Sequence, residues 1–427
     1  MNNLALFGGK PIRNKPFPPH PIIGLEEIKA VTDVLISGKL STFIAQAGDN
    51  FLGGEKIKQF ESDFADYHGV KYAVAFNSAT AALHSAVVGC GVKVGEEVLV
   101  PPYTFTSTAT CVLMNNSIPV FVDIEPYTFC INWTGINKAL LAKCLGETYN
   151  SNVKAVIPVH LFGHPADMDI IMEIARRYRL KVIEDCAQAI GATYKNKKVG
   201  TIGDCGVFSF QETKNITTGE GGMLITDNEE IATITRMVRN HGEVVLESQK
   251  QRTYRSDILG WNYRMTEMEA ALGIVQLKKL DILNEGRIKL ASYLFERIAK
   301  IDGLTPPTVY PNCKHVYYMY PIKYDSEKVG IPRGLFVKAL VAEGIPFSAG
   351  YVKPLYLNPI YHENKPFIYK YFGLDIGYDK GICPVTERMY EKELILTGVV
   401  RPPATFGDMD NIVKAIEKVI AYKKELK

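Results

Sequence analysis

Lys214 stands in a segment whose pattern suits covalent chemistry with a carbonyl compound. An apolar run with high β-propensity, residues 206–210, stops abruptly at polar residues, and Lys214 follows four residues later. A glycine-rich turn at residues 219–222 and a second apolar run come next. Schiff-base formation needs an amine that reaches a carbonyl and whose direction is fixed by packing. Most loop lysines are solvated surface residues, so Lys214 needs support from the rest of the chain.

A second candidate site follows the apolar run at residues 72–76. Small and hydroxyl residues, among them Ala79 and Thr80, stand where a helix should begin. The first N–H groups of a helix are free, and together with a threonine hydroxyl they can hold a phosphate. An ordinary helix cap would explain the same residues. The pattern predicts a helix start and allows phosphate binding there.

Four further residues lie at or just after predicted strands and suit a planar, anionic ligand. Phe105 offers an aromatic surface, although a phenylalanine is more often part of the core. Asp185 ends a buried run, and its carboxylate needs a partner there, such as a protonated pyridine nitrogen, an arginine or several N–H groups. Gln188 lies three residues further on and can face the same pocket. Ser209 offers a hydroxyl for a phosphate, or is simply a small core residue.

The elements that would position these residues form an alternating series. Short apolar runs predict buried strands, and helical or loop segments separate most of them. This alternation predicts an α/β domain with a mostly parallel sheet covered on both faces. Ligands of such sheets lie at the carboxyl ends of the strands, where the candidate residues are found. The seven predicted strands are residues 72–76, 97–100, 120–124, 153–160, 181–185, 206–210 and 223–226.

The pattern changes after about residue 260. Thr266 and Glu269 form a capping-box pair that predicts the start of a long helix. Beyond about residue 310 a strand-like run at 316–324 and helices near 333–343 and 408–426 predict a smaller α+β unit. The predicted organisation is a proline-rich N-terminal arm at residues 1–22, a large α/β domain at 23–285 and a small C-terminal α+β domain at 286–427.

Composition narrows the function classes. The 427 residues carry a net charge of +3 on 95 charged side chains, which does not favour a nucleic-acid partner. The N-terminal stretch lacks the continuous apolar segment of a signal peptide, and no window is long and apolar enough to predict a membrane span. The eight cysteines and eight histidines show no metal-site spacing, so we expect no metal. The scattered cysteines favour reduced thiols in a cytoplasmic protein.

Pyridoxal 5'-phosphate needs all of these parts together. They are a helix start that can hold its phosphate, an aromatic side chain that can stack on its ring, a strand-end carboxylate, a serine and a lysine. The chain resembles the DegT/DnrJ/EryC1/StrS family of pyridoxal-phosphate-dependent sugar or cyclitol aminotransferases from about residue 20 to about residue 420. The resemblance is densest at residues 158–163, 183–189, 208–222 and 260–266, and the run 209–222 is highly specific. It implies fold type I, the architecture of aspartate aminotransferase.

The resemblance also implies a role for each candidate residue. Lys214 would bond the cofactor aldehyde and shuttle the proton. Asp185 would bind the pyridinium nitrogen. Gln188 would contact the phenolic oxygen, and Phe105 would stack on the ring. The remaining implied contacts are to the phosphate: Ala79, Thr80 and Ser209 in the same subunit and Asn262 in the neighbouring subunit of a homodimer. His160 follows a strand and is a candidate only for the substrate side.

The resemblance leaves two keto substrates open. Gln211 and the opening residues 4–13 are similar to the branch that acts on keto-cyclitols such as scyllo-inosose. Residues 214–219 and 262–266 look equally like the enzymes of nucleotide-linked sugars, and Thr397 and Gly398 stand where some cyclitol enzymes have paired histidines. The prediction is therefore amino transfer from L-glutamate or L-glutamine to a keto-sugar, with nucleotide linkage favoured, in amino-sugar biosynthesis. A keto-cyclitol is the alternative.

Three other function classes are weighed against this one. Some relatives are sugar dehydratases with histidine in place of the lysine, and Lys214 argues against that reaction. A regulator on the same fold would not need a proton-shuttling amine together with Asp185. A nicotinamide-dependent oxidoreductase is compatible with the sheet, but no glycine-rich dinucleotide fingerprint follows the first strand.

Overall fold

The computed structural model describes residues 3–44, 49–145, 152–244, 255–363, 366–371 and 377–426. The strands are β1 (Tyr72–Phe76), β2 (Glu97–Val100), β3 (Ile118–Phe121), β4 (Val153–Val156), β5 (Lys181–Asp185), β6 (Thr193–Tyr194), β7 (Lys197–Lys198), β8 (Cys205–Ser209), β9 (Gly222–Thr226), β10 (Leu304–Thr305), β11 (Cys313–Lys314), β12 (Tyr320–Tyr324), β13 (Ser348–Ala349) and β14 (Leu394–Thr397).

Helices alternate with these strands in the first part of the chain. They are α1 (Leu25–Ser37), α2 (Glu55–His68), α3 (Ala79–Gly89), α4 (Ser107–Met114), α5 (Trp133–Leu145), α6 (Met168–Tyr178), α7 (Glu229–Arg239), α8 (Glu267–Ile298), α9 (Ser326–Val329), α10 (Arg333–Ala342), α11 (Phe367–Tyr371), α12 (Pro384–Arg388) and α13 (Phe406–Ala421). A π-helical turn, Met389–Glu393, precedes β14, and short 3-10 turns occupy several loops. No helix within these described ranges is long and apolar enough to cross a bilayer.

The main sheet has seven strands in the order β1-β9-β8-β5-β4-β2-β3. Neighbouring strands from β8 to β3 are parallel, whereas β9 runs antiparallel to both β1 and β8. The predicted large, mostly parallel, seven-stranded sheet is confirmed. The strands are almost entirely buried because helices cover both faces, as expected for parallel sheets.

Two predicted strands end earlier in the structure than the sequence pattern indicates. The run at residues 153–160 forms a strand only over Val153–Val156, because Pro158 has no N–H to donate to a neighbouring strand. Val159 still forms an isolated bridge with Asp185. The run at 120–124 pairs as Ile118–Phe121 at the edge of the sheet, where Pro119 is tolerated.

The small C-terminal part is built around a second sheet with the order β10-β12-β14-β13. Its strands and helices α10 and α13 share a core with the second half of α8, which includes Leu290 and Leu294. The first half of α8 packs against the main sheet through Ala270 and Ile274. The predicted division at residue 285 falls within this helix and stays a prediction.

The N-terminal arm is held against the small part of the chain rather than left free. Leu4 is fully buried in the second core. The carboxylate of Glu343 accepts hydrogen bonds from the backbone N–H groups of Ala5 and Ile12, at 2.9 and 3.0 Å. Arg13 pairs with Asp408 at 2.6 Å. These contacts fix the path of the arm toward residue 20, which lies at the lysine loop described below.

Glu184 stabilises the loop that connects β7 to β8 through hydrogen bonds. Its buried carboxylate accepts hydrogen bonds from the backbone N–H groups of Gly200, Ile202 and Gly203, at 2.6 to 2.7 Å. The Nε2 atom of His160 lies 3.0 Å from the same carboxylate. The Nδ1 atom of this imidazole accepts from the N–H of Ala166, so Nε2 carries the proton and donates it to Glu184.

Replacing Glu184 with glutamine is expected to destabilise the fold by about 1–3 kcal/mol, because an amide NH₂ group would then face buried N–H donors and leave at least one without an acceptor. Thermal and chemical unfolding would measure the loss. Glu296→Gln on the exposed face of α8 is the matched control and should leave the unfolding midpoint unchanged. Equal midpoints for the two variants would contradict this role of Glu184.

Candidate active site

A cavity of about 490 Å³ opens at the carboxyl ends of the parallel strands. Its size lies within the range of ordinary small-molecule sites. It is lined by Ser78, Ala79, Thr80, Thr104, Phe105, Ser107, Val159, Asp185, Ala187, Gln188, Ser209, Gln211, Thr213, Lys214, Glu220, Tyr318 and Tyr351. Seven of the eight residues predicted for the site are among these, because the strands that precede them all end at one edge. Asn262 is the exception.

Lys214 is carried by a loop that is fixed from behind. The buried side chain of Asn215 donates to the side-chain oxygen of Asn284 on α8 at 2.7 Å and to the carbonyl of Val316 at 3.2 Å. Thr217 closes the loop by donating to the carbonyl of Phe210 at 2.8 Å. The ammonium of Lys214 lies 4.2 Å from the centre of the Tyr318 ring. The amine is thereby aimed along the cavity wall rather than into bulk solvent.

The carboxylate of Asp185 is buried, and it has no ion pair within the described part of the chain. Its oxygens accept hydrogen bonds from the hydroxyl of Thr108 at 2.8 Å and from the N–H of Ala187 at 3.1 Å. Burial raises the pKa of Asp185, whereas Thr108, Ala187 and the charge of Lys214 act in the opposite direction. A cation placed against this carboxylate would favour its ionised form further.

Gln188 is oriented by two contacts and keeps a donor for a ligand. Its side-chain oxygen accepts from the N–H of Phe162 at 2.8 Å, and its nitrogen donates to the hydroxyl of Tyr351 at 3.0 Å. Because an amide NH₂ group has two protons, one remains for a group in the cavity. Tyr351 is itself held by the hydroxyl of Tyr103, which accepts from its backbone N–H at 2.9 Å.

The N-terminus of α3 lies at the cavity. Ser78 caps the helix by accepting from the N–H of Ala81, and Ala79 and Thr80 provide first-turn N–H groups that have no acceptor within the helix. Ser209 ends the neighbouring β8 and lines the same space. A Cβ atom on Gly222 would lie 2.5 Å from the nitrogen of Ala79, so only glycine lets β9 pass this close to the helix start.

Phe105 lies at the open side of the cavity with 57% of its surface exposed. The alternative of a core phenylalanine, considered above, is therefore wrong. Its ring is available for a planar molecule.

Two residues considered in the sequence analysis, Asn262 and His160, do not line this cavity. Asn262 is exposed and lies outside the cavity of its own chain, where its side-chain oxygen accepts from Nε of Arg264 at 2.9 Å. A substrate-side role for His160 is wrong: the imidazole is fully buried behind the sheet edge and bonded to Glu184. The group His160, Glu184 and Cys186 has metal-ligand types, but its carboxylate and imidazole are already used for the loop described above.

Three residues at the site were not identified from the sequence. Thr108 supports Asp185 from α4, while Tyr318 and Tyr351 reach the cavity from the C-terminal part of the chain. Thr108 belongs to a serine- and threonine-rich stretch after β2 whose position at a strand end was a usable signal. Nothing in the local sequence distinguishes the two tyrosines from the other 21 in the chain.

These residues fit pyridoxal 5'-phosphate. The buried carboxylate of Asp185 lacks a cation, which the protonated pyridine nitrogen provides. The start of α3 and Ser209 suit a phosphate, and the remaining amide proton of Gln188 suits a phenolic oxygen. Lys214 supplies the amine in the same cavity. The fit rests on these donors and acceptors alone.

Gly222→Ala is expected to weaken binding of pyridoxal 5'-phosphate at least about tenfold, because the new methyl group would displace the N–H groups at the start of α3. Titration of the apoprotein with the cofactor would measure the dissociation constant. Gly334→Ala, at a helical glycine with no atom within 4 Å of the added Cβ, is the control. Unchanged affinity in Gly222→Ala would show that this helix start does not hold the phosphate.

Two relatives named for sugar or cyclitol chemistry align with most or all of this chain. A GDP-perosamine synthase of Caulobacter vibrioides is 40% identical over 309 residues, covering 72% of this chain and 79% of the relative. An L-glutamine:2-deoxy-scyllo-inosose aminotransferase of Streptoalloteichus tenebrarius is 33% identical over 440 residues, covering 100% of this chain and 99% of the relative.

The fold agrees with a solved aminotransferase from Psychrobacter cryohalolentis, with a TM-score of 0.82, 31% identity and coverage of 95% of this chain and 99% of that one. The expected fold type I architecture is confirmed by this likeness. The protein is a pyridoxal-phosphate-dependent aminotransferase. A family model matches residues 23–417, and the chain belongs to the DegT/DnrJ/EryC1/StrS aminotransferase family.

Proposed function

We propose that Lys214 and Asp185 are the catalytic residues of an aminotransferase that moves an amino group from L-glutamate or L-glutamine to a keto-sugar. The observation that carries the proposal is that this lysine, this buried carboxylate and the start of α3 line one cavity. When bound, pyridoxal 5'-phosphate supplies an electron sink for negative charge at the α-carbon of the donor.

In this proposal the residues of the chain hold the cofactor and move a proton. Asp185 stays ionised and keeps the ring nitrogen protonated. The amine of Lys214, once a donor amine has replaced it, takes the proton from the α-carbon of the donor and delivers it to the cofactor carbon. The holding residues are the phosphate ligands Ala79, Thr80 and Ser209, the stacking residue Phe105 and Gln188 at the phenolic oxygen.

The acceptor we propose is a keto-sugar linked to a nucleotide, used in amino-sugar biosynthesis. The Caulobacter relative is named for a GDP-linked product, and it has the higher identity of the two relatives above. A keto-cyclitol is the second candidate, favoured by the relative named for a scyllo-inosose acceptor and an L-glutamine donor. Gln211, which is similar to the cyclitol branch, lines the cavity wall.

We also propose a homodimer with shared active sites. Helix α1 exposes a row of large apolar side chains, with Leu25 83% and Ile36 80% exposed. Apolar faces of this kind are typical of interfaces. Asn262 is exposed and outside its own cavity, as a residue that reaches the phosphate of a neighbouring subunit would be.

A cytoplasmic location is part of the proposal and rests on the free thiols of the seven cysteines whose side chains are described.

Lys214→Ala is expected to lose the visible absorption that a cofactor bonded to lysine gives, and to lower the rate of transfer by at least about a thousandfold. Among the residues that the structure describes, no other amine lines the cavity to bond the aldehyde or shuttle the proton. Absorption spectra and a coupled transfer assay measure the two effects. Lys197→Ala, in an exposed hairpin, is the control and should match the wild type. A colourless wild type loaded with cofactor would refute the assignment of Lys214.

Addition of L-glutamate or L-glutamine to the wild type is expected to discharge the visible band as the amino group is taken up by the cofactor. Keto-sugar nucleotides and free keto-cyclitols are then added separately to the discharged protein. Return of the band with the nucleotide-linked compounds supports the proposed acceptor. Return with keto-cyclitols alone assigns the second candidate, and no discharge by either amino acid contradicts the proposed donors.

A further inference from the structure

The ammonium of Lys214 lies against an aromatic ring rather than a carboxylate. Its Nζ atom is 4.2 Å from the centre of the Tyr318 ring. Both side chains are partly buried, and both line the cavity. Within the described ranges no carboxylate is in ion-pair contact with this amine. An ammonium that has left bulk water needs a partner, and the negative face of an aromatic ring provides one.

The hydroxyl of Tyr318 is fixed by the residue that precedes the lysine. It lies 2.9 Å from Oγ1 of Thr213. The hydroxyl of Thr213 donates its only proton to the side-chain oxygen of Gln211 at 2.6 Å, so the phenol is the donor in its contact with Thr213. The backbone N–H of Thr213 donates to the same oxygen of Gln211 at 2.9 Å. The phenol proton is therefore used by Thr213, and the face of the ring is what Lys214 meets.

The residue that follows the lysine fixes the tyrosine segment from the other side. The side chain of Asn215 donates to the carbonyl of Val316 at 3.2 Å, two residues before Tyr318. The carbonyl of Lys214 itself accepts from the Nε2 atom of His20 at 3.1 Å. The lysine thus lies between two residues that are both hydrogen-bonded to the tyrosine segment. These bonds set the position of the amine relative to the ring.

We propose that Tyr318 is a positioning residue whose ring face holds the ammonium that Lys214 becomes when it takes the proton of the donor. This inference rests on the proposed aminotransferase function. The proton leaves the α-carbon for Nζ, and the electron pair of the broken C–H bond passes into the bound cofactor. Nζ then gives the same proton to the cofactor carbon and is neutral again. Positive charge therefore develops on Nζ against the ring, which stabilises it.

A neutral ring suits this cycle better than a carboxylate would. The amine has to be neutral when it takes the proton, and it has to give the proton up again. A close ion pair in a partly buried site would hold the ammonium strongly and oppose the second step. A cation–π contact favours the charged amine only about two- to thirtyfold. The ring can therefore place the charge without retaining the proton.

The contact itself is measured in the apoprotein, where no reaction takes place. Protein labelled with ¹³C at the ε-carbon of lysine is examined by NMR, and the signal that is lost in Lys214→Ala is assigned to Lys214. A group above the face of an aromatic ring resonates upfield because of the ring current. The Lys214 signal of the wild type and of Tyr318→Phe is expected upfield of its position in Tyr318→Leu.

The role in proton transfer is measured in the donor half-reaction, with a donor that carries hydrogen or deuterium at its α-carbon. Tyr318→Leu should discharge the visible band about two- to thirtyfold more slowly than the wild type, with a clear deuterium isotope effect that is no smaller than that of the wild type. Tyr318→Phe keeps the ring face and should react at nearly the wild-type rate.

Tyr127→Leu is the matched control for both measurements. Tyr127 also lies near a lysine ammonium, that of Lys323 at 5.0 Å from the ring centre, but neither residue lines the cavity. This variant should keep the wild-type rate, the wild-type isotope effect and the wild-type position of the Lys214 signal. The loss of an aromatic ring beside some other lysine is thereby separated from the loss of the Tyr318 ring.

Three outcomes would overturn the inference and leave the proposed function intact. The first is a Lys214 signal at the same position in the wild type and Tyr318→Leu. The second is an unchanged rate in Tyr318→Leu, or a slower rate with a smaller isotope effect or none, because proton transfer is then not the affected step. The third is an equal loss of rate in Tyr318→Phe and Tyr318→Leu, which assigns the role to the hydroxyl.

Failure of the proposed function gives a different result. If neither L-glutamate nor L-glutamine discharges the loaded wild type, the proposed function fails, and this inference fails with it even where the NMR shift is present. If Tyr318→Leu does not fold, as judged by its circular dichroism, Tyr318→Met takes its place in both measurements and the same outcomes decide.

Discussion

The structure of the site depends on one buried carboxylate. Asp185 ends a strand in the middle of the main sheet, is 3% exposed and is supported by a hydroxyl and a single N–H. A charge in that position is costly unless a cation lies against it, and in the proposed function the protonated ring nitrogen of pyridoxal 5'-phosphate would be that cation. Residues that are distant in sequence, such as Thr108 on α4, serve to hold this carboxylate in one orientation.

The strand order explains why so many functional groups meet at this point. β5 lies next to β8, which ends in Ser209, and β8 lies next to β9, which starts at Gly222 beside the start of α3. The carboxylate of Asp185, the start of α3 and the lysine loop are therefore neighbours through hydrogen-bonded strands. A rigid sheet keeps their separations constant, which is the requirement for holding a cofactor at three points.

The C-terminal part of the chain contributes to the same cavity from the opposite side. Helix α8 belongs to both cores, and Asn284 on it anchors the loop of Lys214. Tyr318 and Tyr351 from this part of the chain line the cavity. The residues proposed to hold the cofactor follow strands of the main sheet, so the two parts of the chain supply different residues of one cavity.

The sequence by itself determined the α/β class, the seven strands, the long capped helix and the set of residues after strand ends, because hydrophobic periodicity and strand-end polarity are local properties. Only the tertiary structure decided which strand ends are adjacent, that His160 is a buried structural residue, that Asn262 lies outside its own cavity and that Tyr318 and Tyr351 line the same cavity as Lys214. Those facts depend on strand order and on packing between distant segments, which no local pattern of residues encodes.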